Sequence, residues 1–446
     1  MPFTYATTYL TNFQKKITTS YARIINSPII KNFFIFSFGS IMLRGISIAL
    51  VPFTLSMLNP SDYGLLSLFT SFNTIFIAII GLGLRQSFYL EYFHCLDEQR
   101  KSMTNTILGI YILIATPLTF MAFALHPILN ALLFCNAATP LLIALSLGYC
   151  FLFFFVELFY QHLQYESKAL PLTLLQTSIA LITIGLNIFF LYGMGLGVQG
   201  ILLGSACSAA IACTVAAYYY IKADYVNLFS FRQSVQNMAF HLRQGAPFIP
   251  GILFAWIVSS GDKWVLARYA TLHDVGIYAI ADAFSQLFYV VILYPLSGSY
   301  LPWLFKQFAH NPADIKTIEQ RNKKIMYMSM LGMACAITAG YVLGKPVLNW
   351  ALPYKYHESI LYIWLILMGN IFWMGTYFAS ALIQYHKKSS FLGLAICLPA
   401  LLNIGLNIAL IPPLGIYGCS LATLLAYMAY FCLILGYNRR LIKKHI

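Results

Sequence analysis

The sequence predicts an all-α polytopic membrane protein, with 12 transmembrane helices in two parallel six-helix repeats around a central cavity. Three observations predict it. Hydrophobic residues make up 60% of the chain and charged residues 9%, too much apolar surface for a water-soluble body of 446 residues to hide. The apolar stretches are each long enough to cross a hydrocarbon slab roughly 30 Å thick, which takes about 20 helical residues. The second half of the chain also repeats motifs of the first in the same order.

The stretches fall at 33–55, 64–84, 104–125, 138–160, 170–192, 197–221, 246–267, 276–296, 324–344, 358–381, 390–411 and 415–437. Charge sets their orientation. With both termini cytoplasmic, inward segments collect nearly all of the 27 Lys and Arg residues. The exceptions are Arg268, Lys345 and Lys355 in outward loops, and Arg44 and Lys263 inside spans. That bias satisfies the positive-inside rule. Basic residues spread this way are topology signals, which excludes nucleic acid as a partner despite a net charge of +14.

The segments outside the spans divide the chain further. Residues 1–30 lack a cleavable apolar stretch, and Ile17, Tyr21, Ile24 and Ile25 share one helical face, as in a helix lying on the inner membrane surface. Residues 31–221 form an N-terminal six-helix bundle and 246–437 a C-terminal one. The linker 222–245 carries Phe231, Val235, Met238 and Leu242 at helical spacing, which predicts an interfacial helix between the bundles. Residues 438–446 are a basic cytoplasmic tail. The nine cysteines form no C-x-x-C pair and the nine histidines no H-E-x-x-H, so no cofactor or metal site is expected.

The duplication is specific. Gln164-Tyr165-Glu166-Ser167-Lys168 leads to Ile184-Gly185-Leu186-Asn187-Ile188. Gln384-Tyr385-His386-Lys387-Lys388 leads, in the same register, to Ile404-Gly405-Leu406-Asn407-Ile408. Gly197-Val198-Gln199-Gly200 answers Gly415-Ile416-Tyr417-Gly418, and Asp62-Tyr63-Gly64 answers Asp274-Val275-Gly276. Six spans per repeat return the chain to its starting side, so the repeats run parallel and enclose a cavity between bundles, as in secondary transporters.

Charge within a span costs about 2.5–3.5 kcal/mol on insertion scales and normally faces protein or water. Arg44, in the middle of the first span, reads as a cation lining the cavity or as an ion-pair partner of Glu157 or Asp282. Asp262 and Lys263 are adjacent and point about 100° apart on a helix, so one can face the cavity while the other pairs elsewhere. Asp282 is a proton-carrying carboxylate or the partner of Lys263. Glu157 lies near the inner end of its span, where interfacial solvation is the better explanation of its charge. Arg85 and Glu91 lie just past the second span and Arg268 just past the seventh. Arg44, Arg85, Lys263 and Arg268 are therefore the candidate substrate-binding residues, and Glu157, Asp262 and Asp282 the candidate coupling or ion-pair residues. Asp62 and Asp274 each precede a Gly and a span, a pattern for helix N-caps. Pro247, Pro250, Pro295 and Pro302 mark span ends or hinges. Among 31 tyrosines, Tyr89, Tyr92, Tyr278 and Tyr289 are candidates for stacking on sugars.

Several runs carry a family resemblance. Phe38-Gly39-Ser40-Ile41-Met42-Leu43-Arg44-Gly45 opens the first span, followed by Leu58-Asn59-Pro60-Ser61-Asp62-Tyr63-Gly64-Leu65 and Gly81-Leu82-Gly83-Leu84-Arg85-Gln86-Ser87-Phe88-Tyr89. Pro247-Phe248-Ile249-Pro250-Gly251, Asp262-Lys263-Trp264 and Val275-Gly276-Ile277-Tyr278 follow in the second half. Together they resemble polysaccharide-unit flippases, the Wzx-like O-antigen family of the multidrug/oligosaccharidyl-lipid/polysaccharide exporter superfamily. The resemblance implies a MATE-like fold in a bacterial inner membrane. It implies transport of undecaprenyl-diphosphate-linked oligosaccharide from the inner to the outer leaflet for O-antigen, capsule or a related glycan, with a polysaccharide polymerase and chain-length proteins as partners. It further implies a cationic cavity in the N-terminal half, which Arg44 and Arg85 suit. An Asp-Arg pair of such sequences appears here as Asp262-Lys263, where lysine keeps the charge and loses the bidentate fork.

Two other classes fit less well. A cation-coupled multidrug exporter of the same superfamily is expected to line its cavity with carboxylates, whereas the deep charges here are mixed. A membrane glycan polymerase or ligase needs catalytic groups on a sizeable outer loop, and the outward loops here are short. The chain is therefore expected not to be an enzyme.

Overall fold

The computed structural model describes residues 51–445 apart from 93–94, 167, 224, 226–230, 289–291, 294–299, 311–313 and 387. Arg44, the surface helix expected at 1–30, nearly all of the first span, Tyr289 and Pro295 lie outside the described residues.

The first half comprises α1 (Val51–Met57), α2 (Pro60–Gly81), α3 (Leu84–Tyr92), α4 (Asp97–Ala124), α5 (His126–Leu133), α6 (Pro140–Tyr165), α7 (Ala169–Ile188) and α8 (Gly197–Lys222). A single π-helical turn, Phe189–Gly193, extends α7. The linker forms α9 (Phe231–Gly245) and a 3₁₀ turn, Ala246–Phe248. The second half comprises α10 (Ile249–Tyr269), α11 (Leu272–Phe288), α12 (Leu301–His310), α13 (Ile315–Ala351), α14 (Ile360–Tyr385), α15 (Ser389–Ala395), α16 (Cys397–Leu414) and α17 (Ile416–His445).

Among the described residues, nine helical segments are long and apolar enough to cross a membrane. In two further expected span positions stand α10, charged at Asp262, Lys263 and Arg268, and α11, which has 17 residues. The protein is a multi-pass α-helical membrane protein.

The span expected at 390–411 stands at Phe391–Leu414, with a single turn at Ile396 between α15 and α16. Pro399 has no N–H to donate to the carbonyl of Ala395, and its ring crowds that carbonyl. Asp62 and Asp274 are not N-caps. Asn59 precedes α2, so Asp62 sits in the first turn, where its charge suits the helix dipole. At α11 the cap is Thr271, whose Oγ1 accepts from the Asp274 N–H at 3.2 Å, while Asp274 Oδ2 accepts from the Thr271 N–H at 2.9 Å. That is a reciprocal capping box. Pro247 and Pro250 lie at the start of the 3₁₀ turn and of α10, where a missing N–H costs nothing.

The duplicated motifs hold the same local geometry. At the α6–α7 joint the Glu166 N–H donates to His162 O at 3.0 Å and the Lys168 N–H to Leu163 O at 3.0 Å. At the α14–α15 joint the His386 N–H donates to Leu382 O and the Lys388 N–H to Ile383 O, both at 3.1 Å.

In the first half α2, α4, α7 and α8 pack around α6. In the second, α14 and α17 form the centre, with α11, α13 and α16 against them. The halves meet along α2, which packs against both α10 and α11. Trp256 and Trp264, two turns apart on α10, donate from Nε1 to Ser71 of α2, at O (3.0 Å) and Oγ (2.9 Å). Gly64 and Gly276 bring α2 and α11 together at one end, where a Cβ on Gly276 would strike the Pro60 carbonyl. At the basic end Gly83, in the left-handed region at φ +72, lies against Gly245, where α9 meets the 3₁₀ turn. A side chain at Gly83 would be both strained and blocked.

Candidate functional site

Two cavities lie against the shared wall, one in each half. The first, of about 540 Å³, is enclosed by α2, α6 and α8 and reaches the second half at Ile252. Its lining is apolar except for a set of convergent polar groups. Arg85, in the first turn of α3, reaches across to Glu157 of α6, and the two form an ion pair on the cavity wall. Both remain partly open, with 32% of the Arg85 side chain and 24% of Glu157 exposed. The left-handed turn at Leu82 and Gly83 redirects the chain from α2 into α3 and so aims Arg85 at α6.

Glu157 thus lines the first cavity and pairs with Arg85. The guanidinium is not fully used. Its Nε–H is buried and has no hydrogen-bond acceptor among the described residues. A buried unpaired donor costs about 1–3 kcal/mol, and what the cavity reaches is the exposed third of the Arg85 side chain. Asn73 of α2 projects into the same space, its Oδ1 accepting from Ser146 Oγ and, at 3.3 Å, from the Cys150 thiol.

The second cavity, of about 360 Å³, lies among α10, α11, α14, α17 and the turn at Ile396. Asp262 and Lys263 diverge there as helical geometry requires. Asp262, only 4% exposed, accepts hydrogen bonds from Tyr278 Oη, from the Lys263 backbone N–H at 2.8 Å and from Thr423 Oγ1 at 3.5 Å. Lys263 turns the other way and its Nζ lies 2.8 Å from Asp282 Oδ2. Ser285 Oγ donates to the second oxygen of Asp282 at 3.0 Å. Asp262 and Asp282 both line this cavity, whereas Lys263 is bound to Asp282 behind it.

Of the remaining expected residues, Arg268 is exposed in the last turn of α10 and lines neither cavity. Tyr92 is buried in an aromatic cluster with His162 and Tyr165, and Tyr89 is exposed at the basic end. Tyr278 is fixed on Asp262 in the second cavity. The aromatic residues that do line the first cavity are Tyr149, Phe153 and Phe154. Tyr149, Phe153 and Glu157 share one face of α6 at four-residue spacing, a signal readable in the sequence once Glu157 is taken as a cavity residue.

Comparison with known proteins agrees with this architecture. Residues 29–308 match the family described as polysaccharide biosynthesis protein. The fold matches the lipid II flippase MurJ in its inward closed conformation, at 15% identity over 91% of this chain and 87% of that one, with a TM-score of 0.74. It matches a multidrug resistance MATE family transporter of the MOP superfamily in an inward-facing conformation, at 18% identity over 90% and 94%, with a TM-score of 0.68. An outward-facing MATE transporter matches at 18% identity over 94% and 97%, with a TM-score of 0.58. Comparison of the sequence with curated proteins finds no match.

Proposed function

This chain belongs to the polysaccharide biosynthesis protein family, and from that premise we propose that it flips undecaprenyl-diphosphate-linked oligosaccharide repeat units across the inner membrane by alternating access. The observation that carries the reading is Arg85. It is a cation with about a third of its side chain exposed, set in the wall of a largely apolar cavity with a few convergent polar groups. A diphosphate competes with Glu157 for the exposed part of the guanidinium.

The physics of the cargo demands such a site. A sugar diphosphate crossing bare hydrocarbon would lose its hydration without compensation, which is prohibitive. A cavity of this kind replaces the hydration while the prenyl tail stays in lipid. With the inside negative, each anionic charge moved outward gains roughly 2.3 kcal/mol per 100 mV, so the membrane potential can set the direction. The moving contact is α2 against α10 and α11. Two glycine contacts flank it, Gly64–Gly276 between α2 and α11 and Gly83–Gly245 between the turn after α2 and the end of α9, and they are suited to part alternately, each opening the cavity to one side.

In this reading Arg44 adds a second cation to the first half, and Lys263 and Asp282 act as a structural pair. Glycosyltransferase products from the cytoplasmic leaflet supply the cargo, and a polymerase takes it up outside. A cation-coupled multidrug exporter is the second reading, favoured by Asp262 and Asp282 on the wall of the second cavity.

The test is export in a strain lacking the protein. Wild type restores surface glycan, and Arg85→Gln leaves lipid-linked oligosaccharide on the cytoplasmic leaflet as the deletion does. Normal surface glycan from a well-expressed Arg85→Gln variant overturns the reading. Drug resistance without any glycan phenotype selects the exporter.

A further inference from the structure

We infer that the first cavity holds its cargo in one orientation, with the diphosphate at Arg85 and Gln86 and the first sugar ring laid against the Phe153–Tyr149 stack. The inference rests on the reading of this cavity as a glycan-diphosphate site. It assigns a sugar subsite and the residues that set preference for it.

The charged pair and the hydroxyl groups of the cavity lie at different depths along it. At one end stand Arg85, about a third exposed, and Gln86. Further in, α2 and α8 present three hydroxyls whose protons are already committed. Thr70 Oγ1 donates to Ser67 O at 2.8 Å, Thr74 Oγ1 to Thr70 O at 3.0 Å and Ser205 Oγ to Ile201 O at 2.8 Å. Each oxygen therefore faces the cavity as an acceptor. With the Asn73 amide between Thr70 and Thr74, this uncharged wall suits a ligand rich in hydroxyls, which describes a sugar.

Opposite that wall, Tyr149 and Phe153 are stacked, with ring centroids 5.1 Å apart and planes 21° from parallel. Both rings are only partly buried and line the cavity. The flat C–H face of a pyranose extends such a stack as a further layer, while its rim hydroxyls reach the acceptors across the cavity. Four residues of helix rise about 6 Å, so the ring next to a phosphate held near Glu157 falls on Phe153 and Tyr149.

The same arrangement explains why the cavity has an aromatic shelf at all. A prenyl chain needs no hydroxyl acceptors, and a bare diphosphate needs no ring. Only a ligand with both an anionic and a hydroxylated, flat-faced part uses the whole cavity.

The experiment measures binding to the full-length protein in lipid nanodiscs with two probes, undecaprenyl diphosphate and undecaprenyl diphosphate carrying one hexose. Wild type should prefer the hexose-bearing probe by roughly 5- to 10-fold, the scale of one aromatic stacking contact. Phe153→Leu and Tyr149→Leu should each reduce that ratio toward one and leave the bare diphosphate affinity unchanged. Tyr149→Phe should keep the ratio. An equal affinity of wild type for the two probes, or a ratio untouched by both leucine variants, overturns the inference. Bare diphosphate binding that ignores Arg85→Gln overturns instead the reading on which it rests, and the two failures are separately visible.

Discussion

Gly64 and Gly276 hold the same place in the two sequence repeats, and in the folded protein they pack against each other. The two copies of one motif thus make a single contact between the halves. A Cβ on Gly64 would strike the Leu272 carbonyl, and one on Gly276 the Pro60 carbonyl, so neither helix can move closer or carry a side chain there without displacing backbone.

Alanine at either glycine should therefore destabilise the protein. In an open helix Gly→Ala gains up to about 1 kcal/mol. Here overpacking, at about 1–3 kcal/mol, opposes it and wins because the obstructing atoms are main chain. Gly148→Ala is the control, since nothing lies within 4 Å of its added Cβ. Thermal melting in detergent should show Gly64→Ala and Gly276→Ala below wild type and Gly148→Ala at or above it.

Exchanging the first ion pair separates stability from transport. Arg85→Glu or Glu157→Arg alone places like charges together and should lower the melting temperature. The double exchange should recover most of that loss while export stays defective, because the cation then stands on α6 in place of α3. Full export by the double variant would mean that the pair acts only as a brace.

The second pair should behave as a brace. Lys263 and Asp282 are largely buried. Removing one partner leaves a buried charge uncompensated, at a cost of about 3–5 kcal/mol, whereas removing both is often neutral. Lys263→Met should melt well below wild type, and Lys263→Met with Asp282→Leu should recover. A double variant no better than the single shows that Lys263 is held by other groups.

The linker helix α9 should make stability pH-dependent. His241 is buried, its Nδ1 lies 2.8 Å from Ser87 Oγ, and Ser87 donates to Gln244, which in turn donates to Glu91. Burial lowers the His241 pKa below the ordinary histidine value, with Glu91 opposing in part. The folded state thus favours neutral imidazole. Its contribution is complete above the ordinary value, about 6.5, and is lost as pH falls from there through the lowered one. Melting should drop between pH 7.5 and 5.5, and His241→Gln should flatten that slope. An unchanged slope in His241→Gln assigns the pH response to another group.

Most of the architecture was readable from residue order. Span positions followed from apolar length, and the expected boundaries lie within a few residues of α6, α7 and α8. The linker helix followed from the spacing of Phe231, Val235, Met238 and Leu242, and the two-fold plan from Gln-Tyr-x-x-Lys with its following Ile-Gly-Leu-Asn-Ile. The departures are local competitions. Pro399 put a turn at Ile396 inside an apolar span, and Thr271 took the capping place expected of Asp274 because it lies three residues earlier, immediately before the helix.

What the sequence determined by itself is therefore a membrane-embedded, duplicated helical body, because hydrophobic length and internal repetition are properties of the chain alone. Which charge meets which was decided only by tertiary structure. Arg85 reaches Glu157 across 72 positions, Lys263 turns to Asp282 while Asp262 turns to Tyr278, and Tyr149 and Phe153 face the cavity where other tyrosines do not. A helix fixes the angle between its own side chains, but its rotation and crossing against its neighbours decide what those side chains find.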